Sequence, residues 1–480
     1  MFEVSDCISK VKTLNRRDLL IFLIPFIVFS LYLHVFNPGI LAFDSYNQLH
    51  QIATGQFDSW HPFFHTFIEM LCLKVYASPA SVAALQIVTF SAFWMIICKY
   101  NRDDSQKGKK TFAVQLIITL VIALIPINPI FSLNLQKDIL FSYLLLMLCF
   151  MMEVLIDRRG IVGYPFAIAL SVVLAFLAQL RYNGMVLVLV FLVILAIWMY
   201  LKNRDIKIVA LIPALTIVFI LIIASLNIAY DVEDRRDDAL CLMVGHMLAD
   251  YDVNNKIDSS DEVTLHKFVD KNNSKEYYSV FWKDPTRNDI LHKDVWKKDK
   301  GTYIKMAIGY SLKHPVHFIT YLLHSAPIVW QITWDSEWQH ANGQVYDTNN
   351  TGHRDGFYNK RNKVPAADFD NVTSLHISSP EYGALNNWVY FAKDNPVLYA
   401  LFDSPALYMY LAMIILAVLY WITRVKDLWL IYLPNLLNIA IVFVSIPAQL
   451  TRYLYPNLLV GYLLVIILVG ILMNRKKEVT

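Results

Sequence analysis

Residues 137–160 read KDILFSYLLLMLCFMMEVLIDRRG. The apolar run 138–156 has the length of a helix that crosses a bilayer, about 20 residues. Its two ends carry different charges. Asp157–Gly160 (DRRG) is a short basic linker of the kind that stays in the cytoplasm. Lys137-Asp138, at the other end, puts a lysine on the side where other loops hold almost no lysine or arginine. The stretch therefore predicts a membrane-spanning helix. It also marks a charge that membrane insertion does not require.

Working outward, the same criterion selects runs 19–36, 80–98, 112–128, 162–179, 183–200, 208–229, 405–423, 428–446 and 453–473. The linkers between them alternate. Lys10, Lys12, Arg16 and Arg17 near the N-terminus, Lys99–Lys110 (KYNRDDSQKGKK), Lys202–Lys207 (KNRDIK), Arg424–Asp427 (RVKD) and Arg475–Lys477 (RKK) are all basic. The positive-inside rule places them in the cytoplasm and gives about ten spans with both termini inside. No convincing small-x-small cleavage site follows the first basic group, so the first run is expected to be an uncleaved signal anchor. Of 480 residues, 56% are hydrophobic and 17% charged, and the mean hydropathy is +0.43, which excludes a soluble globular enzyme. Cys7, Cys72, Cys98, Cys149 and Cys241 form no CxxC or Cys/His pattern, which argues against a disulfide framework.

The expected fold is an all-α polytopic membrane protein in three parts. Residues 1–229 hold about seven spans and a first outer loop, 37–79. Residues 230–404 form a large extracytoplasmic segment of helices and ordered loops packed on the membrane part. Residues 405–480 hold the last three spans. In the first outer loop, Trp60–Tyr76 (WHPFFHTFIEMLCLKVY) is interrupted by His61, His65, Glu69 and Lys74, and reads as an interfacial helix. In the large segment, Ser259 and Glu262 suggest a capping box opening a helix over 261–271. The run His317–Ile332 is apolar enough for the interface. No internal repeat is visible, which weighs against an inverted-repeat transporter.

Several residues on the outer side can carry chemistry. Asp44 follows the first span. Partial desolvation there raises a carboxyl pKa and suits a general base, although Asp is also a favoured cap for a helix over 45–53. His61 and His65 share a face if both are helical, a spacing that suits a divalent metal ion or hydrogen bonds to a headgroup. Lys137, Arg181 and Arg452 each adjoin a span on this side. Each alone reads as an interfacial anchor; together they point to binding of an anion, and a guanidinium holds phosphate in bidentate fashion. Asp138 suits the dipole of its helix N-terminus. The stretch Trp334–Lys363, with His340 and His353, has the composition of a carbohydrate-facing loop or of any ordered polar loop. Asn272, Asn349 and Asn371 begin N-x-[ST] triplets.

The order Phe43-Asp44-Ser45-Tyr46, Trp60-His61-Pro62-Phe63-Phe64-His65-Thr66, Lys137-Asp138, Arg181-Tyr182-Asn183-Gly184 and Arg452-Tyr453 resembles bacterial membrane glycosyltransferases of the GT-C superfamily, relatives of protein mannosyltransferases and aminoarabinose transferases. The resemblance covers most of the chain and rests on the order and sidedness of short motifs. It implies a polyprenyl-phosphate sugar donor, a glycan, lipid or protein acceptor, and inverting transfer on the outer face of the cell membrane. The acid of the first outer loop, the base in many members, maps onto Asp44. Protein mannosyltransferases carry an acidic pair there, whereas this chain has Asp44-Ser45, which leaves Asp58 as the alternative base. His61, His65, Asp138, Asn183 and Tyr453 join the three cations as expected substrate-binding residues. A lipid bilayer is the expected setting, and no nucleic-acid partner is expected. Other readings are an envelope polysaccharide polymerase or ligase, using a diphosphate-linked donor, a lipid-linked saccharide transporter, and a non-catalytic scaffold.

Overall fold

A computed structural model describes residues 14–102, 106–202, 205–332 and 380–474. His340, His353 and the triplets at Asn349 and Asn371 lie outside the described residues, as do the basic residues 475–477. The described chain is helical, joined only by isolated β-bridges. Among the described residues, eight helices are long and apolar enough to cross a membrane, which makes this a multi-pass membrane protein.

The helix opened by the quoted stretch, Lys137–Asp157, lies at the centre. We number it α7, after α1 (Arg16–Val35), α2 (Phe43–Thr54), α3 (Phe63–Val75), α4 (Ala80–Tyr100), α5 (Gln106–Leu124) and α6 (Ile127–Leu133). Nearly every residue of α7 is buried. A helix apolar all round needs apolar neighbours on every side. Here they are α4, α8 (Tyr164–Leu180), the helix Trp429–Ser445 and the helix Tyr455–Asn474. α8 is followed directly by α9 (Tyr182–Leu201) and α10 (Ile206–Ala229).

One expected span is corrected. The run 112–128 is not a single helix: α5 ends at Leu124, and the chain bends by 63° into the short buried helix α6. Pro126 supplies no N–H and pushes Ile125 out of helical geometry. Asn128 repairs the break, donating from Nδ2 to the Ile122 carbonyl at 2.7 Å.

That bend positions the first outer loop. Ile40 exchanges backbone hydrogen bonds with Leu133 (2.9 Å) and Leu135 (3.2 Å), and Ser45 Oγ donates to the Leu135 carbonyl at 2.7 Å. Gly39, at φ +123°, makes this approach feasible, since a Cβ there would stand 3.0 Å from the Leu133 carbonyl oxygen. The start of α2 is thereby fastened beside Lys137.

Opposite ends of the same helices gather different groups. At one end Asp18 pairs with Arg102 and with Lys99 (3.3 Å), Tyr100 donates to Asp157 (3.0 Å), and Lys202 meets Asp427 (2.7 Å). At the other end lie Asp44, Lys137, Arg181 and Arg452. The turn at Arg181 depends on close helix approach. A Cβ on Gly184 would come 2.1 Å from the Leu177 carbonyl oxygen. Gly184→Ala is therefore expected to destabilise the protein by about 2–3 kcal/mol, read as a lower unfolding midpoint in detergent. An unchanged midpoint would contradict this packing.

The large outer segment differs from expectation at its first helix candidate. The helix expected over 261–271 spans Ser259–Leu265, with Asp258 as its N-cap and no side-chain capping bond. A second short helix, Lys271–Tyr277, is capped by Asp270. The segment also has its own apolar cluster, including Leu248, Phe268, Trp296 and Tyr303. It is laced to the last spans by Lys283 N–H to Pro447 O (2.9 Å) and by Gln449, which donates to Ser325 O at 2.7 Å and accepts from Ile328 N–H at 3.3 Å. The apolar run from His317 is broken at Pro327 into helices Pro315–Ser325 and Pro327–Trp330.

Candidate active site

Between the helix ends and the outer segment lies a cavity of about 880 Å³. Asp44, Asp58, His61, Lys137, Asp138, Arg181, Asn183, Arg452 and Tyr453 all line it. Residues far apart in sequence converge here because α2, α7, α9 and the 3₁₀ turn Thr451–Leu454 all end on the same side.

The charges form a continuous network. Arg452 Nη2 donates to Asp44 Oδ2 at 3.3 Å, and Arg452 Nε lies 3.5 Å from Asp138 Oδ2. Arg181 Nε lies 3.1 Å from Asp138 Oδ1. The Arg181 guanidinium is held over the rings of Phe141 (5.1 Å) and Tyr453 (5.4 Å), and Arg452 Nη2 donates to Tyr453 Oη at 3.1 Å. Asn183 Nδ2 donates to Ser445 Oγ at 3.0 Å. Arg181 Nη1 is buried and makes no hydrogen bond among the described residues.

Lys137 Nζ lies 2.7 Å from His61 Nδ1. A lysine ammonium only donates, so Nδ1 is the acceptor and the ring hydrogen sits on Nε2. That N–H faces Asp44 Oδ1 at 3.4 Å. Burial, and then the neighbouring Lys137 charge, lower the His61 pKa, so the ring is neutral at ordinary pH.

The Asp44 side chain is 27% exposed, against 2% for Asp138. Asp44 is thus the carboxylate of this network open to a substrate, while Asp138 is enclosed by two guanidinium groups. Asp44 is not a helix cap: α2 begins at Phe43, and Asp44 falls in its first turn. The expected upward pKa shift is corrected. Burial does push the carboxyl up, but His61, Arg452 and Lys137 outweigh it and hold it well below the usual range.

Asp58 sits differently. It accepts from Arg235 Nη1 (3.2 Å) and from the Trp60 backbone N–H (3.0 Å), bracing the turn that leads to His61. His65 does not line the cavity. It is fully buried between α2 and α3, where Nδ1 lies 3.1 Å from Gln48 Nε2, and burial with Lys137 drives its pKa down to about 3. His61 precedes α3, with Pro62 at the N-cap, so the two histidines share no helical face. Among the described residues, no group of three or more His, Cys, Asp or Glu is placed to hold a metal ion.

Two wall residues escaped sequence reading. Lys283 is 2% exposed, lines the cavity, and its Nζ makes no hydrogen bond among the described residues. Arg287 is stacked on Trp60 at 4.5 Å. Both lie in a polar segment where basic residues are ordinary, and no local pattern marks them as turned inward. Compared with family models, curated proteins and solved structures, the chain matches none of them.

Proposed function

We propose that this protein is an inverting membrane glycosyltransferase of GT-C type, moving a sugar from a polyprenyl-phosphate donor to an envelope glycan, lipid or protein. The observation that carries the reading is the meeting of Asp44, Lys137, Arg181 and Arg452 in one cavity at the ends of membrane helices. Ten crossings follow if the bent pair α5–α6 counts as one span and the 17-residue helix α8 as another. The basic linkers then all face the cytoplasm, and the cavity opens on the outer side.

Charge balance supports a phosphodiester donor. At the membrane end of the cavity three cations (Lys137, Arg181, Arg452) face two carboxylates (Asp44, Asp138), an excess of one positive charge. A sugar on a polyprenyl phosphate carries one negative charge. As the acceptor oxygen bonds to the anomeric carbon, the carbon–oxygen bond to phosphate breaks and its electron pair leaves with the phosphate. The acceptor proton passes to Asp44. The phosphate becomes a dianion while Asp44 becomes neutral, so the balance is kept through the reaction. Arg181 Nη1, buried and without a hydrogen bond among the described residues, is the donor left over for the phosphate.

The low proton affinity of Asp44 comes from His61, Arg452 and Lys137 around it. A phosphate drawn to Arg452 and Lys137 competes for the cations that depress it, so donor binding makes Asp44 a better base. Asp58 is the weaker candidate because its side chain is 12% exposed against 27% for Asp44, and it braces the turn that leads to His61. Arg452→Gln removes the 3.3 Å partner of Asp44 and should raise its pKa. A base works ionised, so the rate falls as pH drops through that pKa. At saturating donor, the acid limb should move to higher pH in the variant; an unmoved limb would exclude Asp44 as the titrating base.

The reading is tested by incubating the reconstituted protein and envelope extract with labelled polyprenyl-phosphate sugars. Transfer of label by the wild type and not by Asp44→Asn is expected. Consumption of diphosphate-linked oligosaccharide alone would favour a polymerase or ligase. Consumption of neither donor, with label carried across vesicles, would favour a transporter.

A further inference from the structure

Lys283 stands where the outer segment closes the cavity. Its backbone N–H donates to Pro447 O at 2.9 Å, and Trp282 forms a bridge with Ala448, so it is tied to the chain that leads into Arg452. No carboxylate among the described residues lies within ion-pair distance of it. Asp284, its neighbour in sequence, accepts from Trp282 Nε1 at 3.1 Å, and Asp58 is held by Arg235. On the opposing helix Asp237–Val253, His246 is buried against Tyr321 (2.8 Å) and the Ser279 carbonyl (3.0 Å) and is neutral. Burial lowers the Lys283 pKa to about 8, so the side chain remains charged at neutral pH. A buried ammonium without a partner lowers stability, and a methionine of similar volume would avoid that cost.

We infer that Lys283 receives a second anionic group of a bound substrate, a phosphate or a carboxylate, separate from the phosphate held by Lys137, Arg181 and Arg452. The inference rests on the donor reading above for the first phosphate. The second anion has two chemical sources. One is an acidic sugar on the acceptor, which keeps the monophosphate donor proposed above; the other is the additional phosphate of a diphosphate-linked donor, which would replace it. An anion beside Lys283 raises its pKa, so binding above pH 8 takes up a proton.

The test is calorimetric titration of the full-length protein in nanodiscs. The probes are farnesyl phosphate, farnesyl diphosphate, and a glucuronic acid disaccharide added over saturating farnesyl phosphate. If the source is the donor, Lys283→Gln lowers the preference for diphosphate over monophosphate by about tenfold or more, the size of one charge-assisted hydrogen bond. If the source is the acceptor, that preference stands and affinity for the glucuronide falls by the same factor. Lys283→Arg keeps most of the affinity in either case, and proton uptake at pH 9 disappears in both Lys283→Gln and Lys283→Arg, because a guanidinium is already protonated there. Neither affinity moving by more than about twofold would overturn the inference. Without ligand, Lys283→Met should raise the unfolding midpoint. A fall would mean that the ammonium has a structural partner, and would also overturn it. Farnesyl phosphate binding that is insensitive to Arg181→Ala would refute the donor reading itself, whatever Lys283 does.

Discussion

Asp44→Asn is expected to lower turnover by about 10²–10⁴-fold, the usual contribution of a positioned base. The amide keeps the shape of the carboxylate and its place beside His61 and Arg452, so folding should survive. Removing one negative charge leaves the cavity more positive. Donor affinity should therefore be retained or increased while kcat collapses. That split separates a base from a residue that merely holds the site together, which would lose binding and turnover alike. Steady-state kinetics together with a donor titration checks it. Near-normal turnover in Asp44→Asn, with loss in Asp58→Asn instead, would move the base to Asp58.

Asp138→Ala carries the largest expected cost in stability. The Asp138 carboxylate is 2% exposed and lies between Arg181 Nε (3.1 Å) and Arg452 Nε (3.5 Å). Its loss leaves two buried guanidinium groups facing each other. Breaking such a pair from one side costs about 3–5 kcal/mol. Thermal unfolding in detergent should show a large drop. An anion in the cavity takes over part of the carboxylate's task, so farnesyl phosphate should raise the midpoint of the variant more than that of the wild type. A drop no larger than that of an exposed ion pair, about 0–1 kcal/mol, would contradict the network.

Much of the fold was legible because apolar run length is a strong signal. The span opened by Lys137-Asp138 falls where the sequence puts it, and Tyr164–Leu180, Tyr182–Leu201 and Ile206–Ala229 follow their expected runs within a few residues. The break at Pro126 was missed because Ile125 and Ile127 keep the run apolar across it, so hydropathy does not change where the backbone turns. The misplaced helix at Ser259 has a different cause. Capping residues crowd that stretch, and tertiary packing of Leu265 and Phe268 settled the register.

The candidate site was legible in its members at helix ends and not in its depth. Lys137, Arg181 and Arg452 stood out against the sidedness of charge, and Asp138 and Tyr453 were adjacent to them in sequence. His65 shares a local motif with His61, yet a proline between them separates cavity wall from buried packing. The direction of the Asp44 shift was unreadable for a related reason. Sequence shows that a carboxylate is near a membrane edge, whereas its proton affinity depends on three cations brought from distant elements. Lys283 lacked any signal, since only the fold turns it inward.

The most direct test of the central claim is a structure of the protein bound to a polyprenyl phosphate. The phosphate is predicted to lie within hydrogen-bond distance of Lys137, Arg181 and Arg452, with Asp44 facing the space left for the acceptor. A phosphate held outside the cavity, with these three side chains still engaged only with Asp44, His61 and Asp138, would contradict it.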